Sequence, residues 1–164
     1  MAFNLKTDQA LSKEEKYKLL ISQINSLTED ESNFTANISN ITSAVKNSFE
    51  NFLWTGFYFT DPENENELVL GPFQGKVACT RIHFGKGVCG TAAQKKETLT
   101  VGNVDEFPGH IVCDPDSKSE IVIPVIKDGK TVAVLDIDSD MPDNFDDTDK
   151  YYLEKLTESI LHLF

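Results

Sequence analysis

A β-strand that is apolar on both faces needs cover on both, and residues 131–138 spell such a strand. In Thr131-Val132-Ala133-Val134-Leu135-Asp136-Ile137-Asp138, alternation puts Ala133, Leu135 and Ile137 on one face. Val132 and Val134 take the other, followed there by Asp136 and Asp138. Ahead of it stands Ile121-Val122-Ile123-Pro124-Val125-Ile126, joined through Asp128-Gly129, a strong signal for a tight hairpin. Two acids ending an interior strand have two readings. Either the strand simply emerges into water, or the acids sit at the rim of an enclosed hollow that takes an ammonium or guanidinium group or moves a proton.

The flanking segments supply helices. Ser12-Lys13-Glu14-Glu15 is a capping box, and Tyr17, Leu20, Ile24 and Leu27 follow at 3-4-3 spacing. After a polar break at residues 28–33, Phe34, Ile38, Ile41, Val45 and Phe49 mark a second helix. Residues 53–60, rich in aromatic side chains, read as a strand ending in the turn Asp61-Pro62-Glu63-Asn64. Leu68-Val69-Leu70 answers it across a loop of several residues. A third strand is expected over 77–84, interrupted near Cys79, then a short helix over 88–96 and a strand over 98–101. A long loop, 103–119, leads to the hairpin, and Leu153, Leu156, Ile160 and Leu163 stripe a closing helix that begins in the acidic run 143–149. The order predicts an α+β class: a central antiparallel sheet flanked by helices. We expect one domain over 1–164, with a helical N-terminal region at 11–50, a sheet and site region at 53–140, and a C-terminal helix at 145–163.

A formal charge of −12 argues against nucleic acid as a partner, because phosphate binding needs a basic footprint. The N-terminus turns charged without an apolar core, so no signal peptide is read, and no apolar run approaches the roughly 18 residues that span a bilayer. The expectation is a cytoplasmic protein with no membrane partner. The sequons at Asn33, Asn37 and Asn40 then read as polar helix positions, and three cysteines as thiols rather than a disulfide scaffold.

All three cysteines fall within residues 71–120, together with His83, His110 and seven of the nine glycines. Thiols set among glycine-relaxed turns point to a site built on loops. Cys89 opens a helix, where the macrodipole favours a thiolate. Cys113 stands three residues after His110 and five before Lys118, and Cys79 lies two residues from Arg81. Each cysteine also has the plain reading of an unreactive buried thiol. His110 and Cys113 could form a metal-ligand pair completed by Cys79 or Cys89, but no Cys-x-x-Cys supports it. Gly85-Lys86-Gly87-Val88-Cys89-Gly90 matches G-x-G-x-x-G outside a βαβ context, so a tight turn opening a helix explains it better.

Assembled, these residues resemble the free methionine-(R)-sulfoxide reductases, enzymes built on a single GAF domain. The resemblance rests on Trp54-Thr55-Gly56-Phe57-Tyr58, Leu70-Gly71-Pro72-Phe73-Gln74-Gly75, Ala78-Cys79-Thr80-Arg81-Ile82 and residues 85–91. It continues through Phe107-Pro108-Gly109-His110-Ile111, Cys113-Asp114, Ser117-Lys118-Ser119-Glu120-Ile121-Val122 and Val134-Leu135-Asp136-Ile137-Asp138-Ser139. It spans residues 53–145 and departs only in details such as His83 and Val112.

The resemblance implies a GAF-like fold, a closed pocket for free L-methionine (R)-sulfoxide, and a possible homodimer. It implies Cys113 as the attacking thiolate and Cys79 as its resolving partner, with the part played by Cys89 left open. Glu120, Asp136 and Asp138 would bind the substrate ammonium and the sulfoxide oxygen, with Glu120 and Asp138 also in catalysis, while Trp54 and Tyr58 wall the methyl group. The chemistry is consistent. A thiolate attacks sulfur, a shielded acid protonates the departing oxygen, and the resulting sulfenic acid condenses with a second thiol to a disulfide. An external dithiol such as thioredoxin reduces that disulfide by exchange. Such a cycle calls for no metal and no organic cofactor. Two alternatives from other classes stand beside it: a non-catalytic GAF sensor of small molecules, and a thiol or metal redox regulatory protein.

Overall fold

The computed structural model describes residues 10–111 and 114–164. Helices α1 (Lys13–Thr28) and α2 (Phe34–Ser48) come first, then strands β1 (Trp54–Asp61), β2 (Asn64–Gln74) and β3 (Arg81–His83). Helix α3 (Gly87–Lys95) precedes β4 (Leu99–Val101), the hairpin of β5 (Ser119–Lys127) and β6 (Lys130–Ser139), and the closing helix α4 (Asp147–Ser159). The six strands form one antiparallel sheet in the order β3-β2-β1-β6-β5-β4. β6 is interior, as its two apolar faces require.

Local chemistry sets the boundaries. The Ser12 hydroxyl accepts from the Glu15 amide while the Glu15 carboxylate accepts from the Ser12 amide, closing the capping box of α1. Asp146 and Asp149 form the same reciprocal cap on α4, and Asn33 Oδ1 caps α2 through the Ala36 amide at 2.9 Å. Asp128 and Gly129 take φ of 51° and 75°, the two positive angles of the tight turn that puts Lys127 opposite Lys130. Pro124 is tolerated in β5 because β4 stops opposite Val122, so beyond it β5 has only β6 to bond.

Three expectations change. The first hairpin turns through two residues, with Asp61 facing Asn64, and β2 runs eleven residues rather than three. Pro72 is absorbed there because the register slips by one residue between the Gly56–Phe73 and Tyr58–Leu70 pairs. The third strand shrinks to Arg81–His83, pairing only with Glu67, Leu68 and Val69. Val132 leaves its expected face: the register slips between Val125–Ala133 and Ile126–Thr131, and Val132 packs with the helices on the far side.

One sheet face, carrying Phe57, Ile121, Ile123, Val125, Ala133, Leu135 and Ile137, packs against α1, α2 and α4. The other carries Trp54, Tyr58, Leu68, Val122 and Val134 against α3 through Val88, Cys89, Ala92 and Ala93. No helix among the described residues is long and apolar enough to cross a membrane.

Candidate active site

On the α3 side the apolar packing stops short of the ends of β5 and β6, and acids take its place. Glu120 pairs across the sheet with Asp138, and Asp138 with Trp54; one rung along, Val122 pairs with Asp136 and Asp136 with Gly56. Period-two alternation therefore aims Glu120, Asp136 and Asp138 into one hollow, together with Trp54. Tyr58, Ile82, Lys86, Val88, Cys89, His110, Ile111, Asp114 and Ser117 also line it, around about 40 Å³ of free space. The indole of Trp54 lies over Gly56, where any Cβ would collide with it. Its Nε1 donates to the Lys76 carbonyl at 3.0 Å, and its ring stacks on Phe73. The Tyr58 hydroxyl donates to the Cys79 carbonyl at 3.0 Å.

The turn 85–90 delivers Cys89 to this hollow. Gly85 and Gly87 take φ of 80° and 59°, and Gly90 lies so close to the His83 carbonyl that a side chain would not fit. Cys89 Sγ lies 3.9 Å from Glu120 Oε1, and one donor atom each from Cys89, Glu120 and Asp136 falls within 4.8 Å of the others. His110 Nε2 stands 3.9 Å from Glu120 Oε2. From the loop before β5, the Ser117 hydroxyl donates to Asp138 Oδ1 at 2.6 Å. Asp136 Oδ1 and Asp114 Oδ2 are buried without a hydrogen-bond partner.

Burial and mutual repulsion push the carboxyls up. Glu120 and Asp136 are raised well above the usual range, by desolvation first and by neighbouring acids second. Asp138 is raised to about 6 by burial, held back by the Ser117 hydroxyl. Cys89 corrects the sequence-based expectation. It does open α3, but burial and the charges of Asp136 and Glu120 drive its thiol well above the ordinary value, overriding the helix dipole. Burial lowers His110, leaving a neutral imidazole near pH 7.

The GAF-domain family model matches residues 33–161. GAF domain-containing protein A of Dictyostelium discoideum is 54% identical over 145 residues, covering 88% of this chain and 90% of that protein. The free methionine-R-sulfoxide reductase of Saccharomyces cerevisiae is 48% identical over 155 residues, covering 92% and 86%. The X-ray structure of the free methionine-R-sulfoxide reductase from Neisseria meningitidis, in complex with its substrate, superposes with a TM-score of 0.93 at 43% identity, covering 98% of this chain and 95% of that one. The chain belongs to the free methionine-R-sulfoxide reductase family, on a GAF-domain fold.

For a member of that reductase family, the residues singled out in the sequence fall into three groups. Trp54, Tyr58, Cys89, Glu120, Asp136 and Asp138 line one hollow, so the acids sit in an enclosure rather than at a strand end emerging into water. Cys79 stands at its margin, half-buried against the same apolar cluster, with Ala78 rather than Cys79 in the lining. Its neighbour Arg81 is taken up by Asp61 and Glu67, at 2.5 and 2.6 Å. Cys113 lies outside the described residues, and with it the suggested His110–Cys113 ligand pair; the donors that the structure does gather are Cys89, Glu120 and Asp136. Ser117 was legible only as part of the stretch before Glu120, and nothing in the sequence marked its hydroxyl as the partner of Asp138. Lys76, which bridges Asp114 at 3.0 Å and Asp116 at 2.5 Å, carried no signal at all.

Proposed function

We propose that this protein reduces free L-methionine (R)-sulfoxide to methionine through a cysteine sulfenic acid and an intramolecular disulfide, with thioredoxin as the reductant. The observation that carries this reading is the set of buried acids that outnumber the cations around them. Among the described residues lining the hollow, Glu120, Asp136, Asp138 and Asp114 are accompanied only by Lys86 and a neutral His110, and Asp136 Oδ1 has no donor. Such a hollow suits a guest that brings its own positive charge and N–H donors. A free amino acid has that ammonium, whereas a methionine within a peptide does not.

The roles divide by protonation. Asp138, a carboxylate above about pH 6, takes the ammonium. The Glu120–Asp136 pair keeps a proton near neutrality and gives it to the sulfoxide oxygen. Trp54 and Tyr58 wall the S-methyl group. Cys113 attacks the sulfoxide sulfur as a thiolate; methionine departs with the electron pair and the oxygen stays on Cys113 as a sulfenic acid. Cys79 condenses with it, releasing water and forming a disulfide, and thioredoxin returns both to thiols by exchange. Burial and the neighbouring acids raise the Cys89 thiol pKa, which keeps this sulfur protonated and disfavours it as the attacking thiolate.

The test is methionine release from separated R and S free sulfoxides under thioredoxin recycling, repeated on C79S, C89S and C113S. A resolving cysteine loses turnover but still releases one equivalent of methionine; the attacking cysteine loses both. Equal turnover of both epimers, or none of either, overturns the reading.

A further inference from the structure

An ammonium guest calls for oxygen acceptors and gives no reason for a thiol among them. Yet Cys89 Sγ shares its corner of the hollow with Glu120 and Asp136, all three buried, with one donor atom of each within 4.8 Å of the others. The Sγ to Glu120 Oε1 separation is 3.9 Å. Two ligands on a tetrahedral zinc, with Zn–S about 2.3 Å and Zn–O about 2.1 Å, stand about 3.6 Å apart, so this edge needs only a few tenths of an ångström of closure. Asp136 is 7% exposed, lines the hollow, and leaves Oδ1 without any partner. A buried carboxylate oxygen so placed lacks a donor or a cation.

We propose that Cys89, Glu120 and Asp136 form a binding site for a thiophilic divalent cation of the zinc class, which occupies the hollow in place of the organic guest. The donor set combines one soft and two hard ligands, a mixture suited to zinc or cobalt and poorly suited to magnesium or calcium. His110 Nε2 stands 3.9 Å from Glu120 Oε2, the nearest imidazole to the three donors among the lining residues. The ion and the substrate's sulfoxide oxygen both need Glu120 and Asp136, so ion and substrate exclude each other. The ion thereby acts as a competitive brake on whatever the hollow binds, taking no part in the chemistry.

Cobalt(II) is the probe, because a thiolate ligand gives it a charge-transfer band in the near ultraviolet and a tetrahedral site gives it strong visible bands. Reduced, chelator-treated protein titrated with cobalt should show both, saturating at one ion per chain. C89S should abolish the charge-transfer band, and D136N should weaken binding at least about tenfold, with folding of each variant checked by circular dichroism. Zinc, but not magnesium, should displace the cobalt, and free methionine sulfoxide should displace it as well. No cobalt spectrum, or a charge-transfer band that survives in C89S and disappears in C79S or C113S, overturns the proposal. Turnover measured with chelator present reads the reductase assignment separately, because that reaction needs no ion.

Discussion

The Ser117 hydroxyl donates to Asp138 Oδ1 at 2.6 Å, joining the loop before β5 to the end of β6 at the mouth of the acidic hollow. This bond favours the charged carboxylate and restrains the rise that burial imposes, leaving Asp138 at about 6. Ser117→Ala removes it and should move the Asp138 pKa upward. If the carboxylate binds the ammonium, the acid limb of kcat/KM then shifts toward neutrality. At pH 7 KM should rise about tenfold while kcat stays near wild type, the scale of one charge-assisted hydrogen bond. A fall in kcat with KM unchanged would count against Asp138 as the ammonium ligand.

Asp138 also ties stability to pH, with a sign opposite to that of most acids. A carboxyl whose folded pKa exceeds its unfolded value favours folding most below the unfolded value, near 3.8, and that contribution is lost as pH rises through about 6. The shift corresponds to about 3 kcal/mol, reduced by the partial exposure of the side chain and its coupling to neighbouring groups. Asp138→Asn keeps an acceptor for Ser117 but cannot ionise. It should match wild type in thermal denaturation at pH 4 and exceed it at pH 7.5, by on the order of 1 to 3 kcal/mol, while KM rises steeply. A stability gap that does not change with pH would refute the linkage.

The sequence carried the parts of this site that depend on short-range rules. Period-two alternation aligned Asp136 with Asp138, the Asp128-Gly129 pair set the turn that puts Lys127 opposite Lys130, and the capping box at Ser12 fixed the start of α1. What it could not carry was decided by tertiary partners. β2 extends through Asn64–Gln74 despite Gly71, Pro72 and four polar residues at its start, because β1 supplies a pairing edge and the register slip accommodates proline. Val132 changes face through a slip that no alternation pattern encodes. Cys89 was correctly placed at a helix N-terminus, yet its protonation is governed by its burial and by acids 31 and 47 residues further along the chain.

Gly56 is a position where function needs the absence of a side chain. A Cβ there would sit 2.6 Å from Phe73 Cβ and overlap the Trp54 ring, which has no room to retreat because Phe73 stacks on it. Gly56→Ala should therefore push the indole toward Asp136, the cross-strand partner of Gly56. Overpacking of this kind costs about 1–3 kcal/mol. The expected result is a lower Tm, a shift in tryptophan fluorescence from the single Trp54, and weaker substrate binding. A variant with a wild-type emission spectrum and KM would show that the ring is not fixed by this contact.

The helical face offers the opposite case, a buried polar link that serves the fold alone. Tyr17, fully buried on α1, donates its hydroxyl to Asp149 Oδ1 at 2.7 Å, and Lys13 Nζ reaches Asp149 Oδ2 at 2.7 Å. The same carboxylate caps α4 through the Asp146 amide, so one side chain joins the start of α1 to the start of α4. Tyr17→Phe leaves Lys13 and the cap in place but deprives Oδ1 of its donor. The loss should be about 1.5–3 kcal/mol, the range for hydrogen bonds to charged groups. Because α1 packs on the sheet face away from Glu120, Asp136 and Asp138, kcat/KM for free methionine (R)-sulfoxide should be unchanged at temperatures where the variant is folded. Chemical denaturation beside steady-state kinetics separates the two effects: a drop in kcat/KM without a drop in stability would mean that the two faces of the sheet are coupled.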